Sequence, residues 1–263
     1  MAQVTLMDFL QAGLPALPAH APPNPGPNTT NLRYGFKDIQ SIGTWDAFNL
    51  NNLLQRYQHL FNQVRLDRVP ISTSPVSALG SEDVIRDKIA EHAFPRVRKA
   101  LRAAFQHLHA ANQLNGRTSL SFGGGSYAQV INGYRPDTAY YDPAQTFGAS
   151  LNRAPGDIKP SFKWNMGMAS SPANSVRNEF RQALSQVNYY MKQHTARYGF
   201  LLTNAELVVF QRLDANGNLQ LAASIPYNSG GAPGYPQMTV IFALFCLGMM
   251  AAEDGNGPNG WSM

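Results

Sequence analysis

The chain has 263 residues, of which 44% are hydrophobic and 14% are charged. A chain of this length and hydrophobic content can bury a large core, which excludes an intrinsically disordered protein. The formal net charge of +5 permits a polyanionic partner without requiring one. The single cysteine, Cys246, excludes a disulfide framework and a cysteine-based zinc site. We therefore expect an intracellular protein of the nucleus or cytoplasm.

The N-terminal region has no charged segment followed by an apolar one, so we predict no conventional signal peptide. Residues 1–30 are rich in proline and alanine, with six prolines between Pro15 and Pro27. A segment so rich in proline forms neither a helix nor a central strand. We therefore predict a flexible tail over residues 1–30 and a single domain over residues 31–263.

Hydrophobic periodicity predicts a mixture of helices and strands in the domain. Ser81 is a candidate N-cap residue, and Pro95 is expected to kink or divide the helix that follows it. The apolar run over 238–252 is shorter than the roughly 17–25 residues of a membrane span. We therefore expect a buried helix there and no membrane partner. Helices are predicted over 45–68, 81–112 and 174–197, and strands over 118–122, 134–141, 149–161, 200–203, 206–212 and 219–225.

Two acidic positions lie on neighbouring predicted strands. On a strand, Asp157 and Lys159 project to the same side, whereas Ile158 between them points into the core. Asp137 lies twenty residues before Asp157, which leaves room for a strand, a turn and a returning antiparallel strand. Two carboxylates brought together in this way repel each other unless a cation lies between them. Oxygen ligands favour a hard cation such as Mg²⁺ or Mn²⁺.

The next helix carries a further polar pair, Gln186 and Tyr190, which are four residues apart and share a face. The ordered set of Asp137, Asp157-x-Lys159 and Gln186-x-x-x-Tyr190 resembles the PD-(D/E)XK phosphodiesterases, with a last element similar to that of the RecB-like branch. The sequence of residues 135–164, together with residues 190–191 and 197–207, is more similar to the PD-(D/E)XK nuclease-like proteins of filamentous fungi. The resemblance covers residues 80–250.

This resemblance implies a restriction-endonuclease-like α+β fold, in which a central mixed β-sheet is flanked by helices, with extra helices near both termini. It also implies a hydrolase that cuts phosphodiester bonds of nucleic acid, DNA more than RNA, with Mg²⁺ or Mn²⁺ as cofactor. Asp137, Asp157 and the carbonyl of Ile158 would hold the metal ion, and Lys159 would position the attacking water. The family often has a glutamate on the preceding helix, for which Glu82 is the first choice and Glu91 the second.

Four further residues are candidates for binding the substrate. By the resemblance, Gln186 and Tyr190 would contact the substrate backbone or support the metal ligands. Arg135 would contact a phosphate or pair with Asp137, and Lys163 is either a second phosphate contact or an exposed residue. The alternative to a nuclease is a non-catalytic module on the same fold that binds nucleic acid or another protein.

Overall fold

The computed structural model describes residues 3–23, 25–71 and 79–254. The helices are α1 (Leu6–Leu10), α2 (Leu50–Gln63), α3 (Glu82–Ala110), α4 (Asn174–Gln193) and α5 (Val240–Glu253). The strands are β1 (Gln3–Thr5), β2 (Ser41–Thr44), β3 (Arg65–Asp67), β4 (Ser121–Gly124), β5 (Thr138–Tyr141), β6 (Gly156–Lys159), β7 (Tyr198–Thr203), β8 (Glu206–Arg212), β9 (Asn218–Leu221) and β10 (Ile225–Pro226). The fold is a mixed α+β arrangement, which confirms the predicted class.

The central sheet is mixed, and its strands follow the order β2-β9-β8-β7-β6-β5-β4, with β10 paired to β8. Strands β6 and β7 run parallel and are connected through α4, whereas β5 pairs antiparallel with β6. Alternate residues of β7 belong to different cores: Phe200 packs with α3 and α5, and Leu201 packs with α4. Helices therefore cover both faces of the sheet.

The apolar segment near the C-terminal end forms α5, which is buried from Val240 to Ala252. The hydroxyl of Thr239 caps its first turn by accepting a hydrogen bond from the N–H of Phe242 at 3.0 Å. The expectation of a buried helix is therefore confirmed. Within the described ranges, no helix is long and apolar enough to cross a membrane.

Several predicted boundaries differ from the observed ones. Helix α3 begins after Ser81, whose side chain caps it as predicted, but the helix continues through Pro95 to Ala110 without division. Strand β6 is much shorter than the predicted segment because Pro155 and Pro160, which have no N–H to donate, flank it on both sides. The predicted strand 219–225 is divided into β9 and β10.

The first thirty residues differ most from the prediction. Residues 3–19 pack against the domain instead of forming a flexible tail. Strand β1 pairs antiparallel with β3, and Leu6, Phe9 and Leu10 of α1 are buried in the main core. Proline prevents regular structure in the following segment, but it does not prevent an extended chain from burying Leu14, just before the first proline, and Leu17, between the first two.

Candidate active site

Strand β6 and the bend just before strand β5 bring two carboxylates together. Thr138 lies opposite Gly156 in the antiparallel pair, so the next position places Asp137 beside Asp157. The N–H of Ile158 donates a hydrogen bond to Oδ2 of Asp137 at 2.9 Å. The structure thus places the two aspartates next to each other. Asp157 lies on a strand as expected, whereas Asp137 lies in the bend just before β5 and not on the predicted strand.

The glycines before β5 hold Asp137 in this position. The N–H of Gly125 donates to the main-chain carbonyl of Asp137 at 2.9 Å. A Cβ atom on Gly125 would lie only 1.7 Å from the carbonyl oxygen of Pro136. Only glycine allows the two segments to approach so closely, so this residue sets the position of the carboxylate.

Strand alternation places Asp157 and Lys159 on one side of β6 and Ile158 in the core, as predicted. Asp157 and Lys159 are each only 3% exposed, and Nζ of Lys159 lies 2.7 Å from Oδ2 of Asp157. Burial alone would lower the pKa of Lys159, but the charges of Asp157 and Glu82 outweigh that effect and raise it. The Lys159 side chain is therefore a fixed cation next to the carboxylates.

Of the two candidate glutamates, the structure places Glu82 at the site. Lys159 and Lys163 donate to its two carboxylate oxygens, each at 3.2 Å. Glu91 lies nine residues further along α3, about 13 Å at the helical rise per residue, and pairs instead with Lys88 at 2.8 Å. Glu82 is the first residue of the helix, which explains why it reaches the edge of the sheet.

The two aspartates influence each other strongly. Burial raises the pKa of Asp137 to about 8, and the charge of Asp157 adds to this effect. The hydrogen bond from the N–H of Ile158 acts in the opposite direction but is weaker. This is the electrostatic arrangement that a cation between two carboxylates would relieve.

Helix α4 contributes the predicted polar pair. Nε2 of Gln186 donates to the hydroxyl of Tyr190 at 3.1 Å, and both side chains are buried. Burial, with the charge of Asp157 as a second cause, raises the pKa of Tyr190. Oε1 of Gln186 is buried and accepts no hydrogen bond within the described part of the chain.

The remaining two candidates have different surroundings. Lys163 pairs with Glu82 and is 24% exposed, so it belongs to the charged network. Arg135 is exposed and forms no ion pair with Asp137 in the described structure. Arg86, which the sequence analysis missed, takes that place: one of its terminal nitrogens lies 3.8 Å from Oδ1 of Asp137. Arg86 lies four residues after Glu82 on α3. This spacing places the two side chains on one face of the helix and could have indicated that Arg86 reaches the site.

Sequence analysis also missed the contribution of residues 28–34, which we call the N-terminal segment. Asn28 is buried; its N–H donates to the Glu179 carboxylate at 2.7 Å and its side-chain amide donates to the carbonyl of Lys163. Tyr34 is also buried, and burial together with the charge of Asp157 raises its pKa to about 12. This segment therefore forms one wall of the site. Its composition carried no signal for such a role.

The donor atoms fit a hard divalent cation. Asp137 and Asp157 supply carboxylate oxygens, and the C=O of Ile158 points to the same edge as its N–H, which faces Asp137. Oxygen donors of this kind suit Mg²⁺ or Mn²⁺. Among the described residues, no group of three His, Cys, Asp or Glu side chains is arranged to hold a metal ion.

The chain was compared with models of protein families, with curated proteins and with solved structures. No family model, curated protein or solved structure matches it.

Proposed function

We propose that this protein is a metal-dependent hydrolase that cuts phosphodiester bonds of nucleic acid, with DNA as the preferred substrate, on a restriction-endonuclease-like core. The observation that carries the proposal is the convergence of Asp137, Asp157, Lys159 and Glu82 around strand β6. Asp137 and Asp157, with the Ile158 carbonyl, would hold Mg²⁺ or Mn²⁺. The bound ion would polarise a phosphate oxygen and lower the pKa of a water molecule.

The protein's own residues perform the remaining tasks. The Lys159 ammonium is held by Asp157 and Glu82, so it stays protonated and can orient the attacking water without acting as a base. The same positive charge offsets the charge that develops on the phosphate in the transition state. Arg86 and Lys163 add two cations at the rim, where a phosphate backbone would approach.

On α4, Tyr190 and Gln186 contribute buried polar groups on the same side of the sheet as Asp157. The unpartnered Oε1 of Gln186 is an acceptor that a hydroxyl or amino group of a substrate can satisfy. These two residues would position the substrate and would not take part in proton transfer.

The test is cleavage of labelled DNA and RNA, single-stranded and duplex, by the purified protein with Mg²⁺ or Mn²⁺. We expect cutting by the wild type and none by Asp157→Ala or Lys159→Ala. Asp87→Ala removes an exposed acid of the same helix that carries Glu82 and serves as the matched control. Cutting that survives both substitutions at the site would overturn the mechanism.

A second candidate function is a non-catalytic module that binds nucleic acid. It is favoured by one observation: Lys159 already balances the charges of Asp157 and Glu82 through ion pairs at 2.7 and 3.2 Å. A mobility shift of DNA in EDTA, combined with no cleavage in any divalent metal, would support this function over hydrolysis.

A further inference from the structure

Three tyrosine rings from distant parts of the chain meet, each from a segment that also contributes to the candidate active site. The ring centroids of Tyr134 and Tyr189 are 5.1 Å apart, and those of Tyr34 and Tyr189 are 5.5 Å apart. Tyr34 and Tyr134 complete the group at 6.4 Å. We call Tyr34, Tyr134 and Tyr189 the tyrosine cluster.

Each tyrosine of the cluster belongs to a segment that also contributes to the candidate active site. Tyr134 lies three residues before Asp137, and Tyr189 precedes Tyr190 on α4. The hydroxyl of Tyr134 donates to Oδ1 of Asn31 at 2.8 Å, which ties it to the N-terminal segment that carries Tyr34. The cluster therefore has a fixed position relative to the carboxylates before any ligand arrives.

The cluster presents aromatic surface to solvent. Tyr34 is only 4% exposed and forms its base, whereas Tyr134 and Tyr189 are partly exposed. The planes of those two exposed rings meet at 76°. In this edge-to-face arrangement, the partly exposed part of each ring is where a flat group would stack, since aromatic rings also accept offset-stacked partners.

A basic residue accompanies each tyrosine. Arg33 precedes Tyr34, Arg135 follows Tyr134, and Lys192 lies one helical turn after Tyr189. In the described ranges, none of these basic side chains forms an ion pair with an acid. Aromatic rings interleaved with unpaired cations are typical of surfaces that stack bases and follow a phosphate backbone.

We infer that the tyrosine cluster holds an unpaired nucleobase beside the phosphate at the carboxylates, so that the ligand of this site is a single-stranded nucleic acid. The inference rests on the proposed function in that it takes nucleic acid as the ligand. A base within a duplex is covered on both faces by its neighbours and must leave the stack before a side chain can stack on it. An unpaired base meets no such cost.

The test is fluorescence anisotropy in EDTA, which measures binding without cleavage. The probes are a labelled single-stranded oligodeoxynucleotide, the same sequence as a duplex, and an abasic strand of equal length and charge. We expect the single strand to bind more tightly than both other probes. Substitutions Tyr134→Leu and Tyr189→Leu should each weaken its binding by about 5- to 100-fold, whereas Tyr189→Phe keeps the ring and the affinity.

Tyr235→Leu is the matched control, because Tyr235 is 79% exposed and belongs to the loop before α5. Equal binding of the abasic strand or of the duplex overturns the inference, as does unchanged binding by both leucine variants. The comparison of the three probes needs only the wild-type protein. It therefore tests the preference for an unpaired base even where a leucine variant fails to fold.

The same samples with Mg²⁺ separate this inference from the proposed function. Tyrosine-dependent binding without cleavage supports the inference and removes hydrolysis. Cleavage of the duplex that does not depend on the tyrosines overturns the inference and leaves hydrolysis in place.

Discussion

The N–H of Ile158 donates a hydrogen bond to the carboxylate of Asp137 at 2.9 Å, from the strand that also carries Asp157. The main chain of β6 thereby holds the carboxylate of Asp137 close to that of Asp157. The free-energy cost of bringing the two carboxylates together is only partly offset by this bond and by the neighbouring Lys159, because the pKa of Asp137 is still raised. A cation between the two carboxylates would relieve the remaining repulsion.

Replacing Asp137 with asparagine tests this arrangement. Asp137→Asn keeps an oxygen that can accept the N–H of Ile158 but removes the repulsion from Asp157. We expect millimolar Mg²⁺ to raise the melting temperature of the wild type by about 2–6 °C and to leave the variant unchanged. Thermal unfolding with and without the metal measures this, with Asp87→Asn as control. An equal metal response of wild type and Asp137→Asn would contradict the prediction.

The buried ion pair between Lys159 and Asp157 should be costly to break from one side. Lys159→Gln leaves the Asp157 charge buried without its partner, which we expect to lower the free energy of unfolding by about 3–5 kcal/mol. The double variant Asp157→Asn/Lys159→Gln removes both charges and should lose less. Urea unfolding of the wild type, both single variants and the double variant gives the coupling energy. Additive losses would mean that the pair is not coupled.

The two glutamates of α3 form a matched pair for activity. Glu82→Gln weakens the contacts with Lys159 and Lys163, and we expect it to lower the cleavage rate about 10- to 100-fold, as is common for groups that orient site residues. Glu91→Gln changes an exposed residue paired with Lys88 and should leave the rate unchanged. Initial cleavage rates at saturating Mg²⁺ distinguish the two variants. Equal rates for Glu82→Gln and Glu91→Gln would contradict a role of Glu82 in orienting the site residues.

The close approach at Gly125 predicts a structural effect on the site. Gly125→Ala places a methyl group against the carbonyl of Pro136 and should displace the segment that carries Asp137. We expect a loss of about 1–3 kcal/mol in the free energy of unfolding together with a loss of cleavage. Gly26→Ala is the control, because nothing lies within 4 Å of the Cβ position there. A fully active and stable Gly125→Ala variant would show that the approach is not needed.

His194 predicts how stability depends on pH. It is 1% exposed, its Nδ1 accepts the N–H of Asn152 at 3.2 Å, and burial lowers its pKa to about 4. In the unfolded chain a histidine has a pKa of about 6.5, so the unfolded state binds the proton more readily. The contribution of His194 to stability is therefore complete above pH about 6.5 and is lost as the pH falls towards 4, by about 3 kcal/mol.

The variant His194→Asn keeps an acceptor and does not titrate. We expect its free energy of unfolding to fall less than that of the wild type between pH 7 and 4 in urea titrations, whereas His109→Asn, at an exposed position, should follow the wild type. If the free energy of unfolding depends on pH in the same way for His194→Asn and the wild type, His194 is not the residue that causes the loss of stability.

Much of the sheet could be predicted because strand alternation is local. The side-by-side placement of Asp157 and Lys159 follows from a period of two residues, and β8 has the predicted bounds. Strand ends were less predictable where proline interrupts pairing, as at Pro155 and Pro160. The choice between Glu82 and Glu91 stayed open because both lie on one helix, and only the packing of that helix against the sheet decides which reaches the site.

By itself, the sequence determined the α+β composition, the buried C-terminal helix and the set of charged residues at the end of one strand. These features can be predicted from hydrophobic periodicity and proline content, because each of them depends on residues that are close together in the chain. Only the tertiary structure decided that the N-terminal segment lines the site, and that Tyr34 and Arg86 lie beside residues far away in the sequence. Such contacts depend on how elements pack across the core, and no local pattern records that.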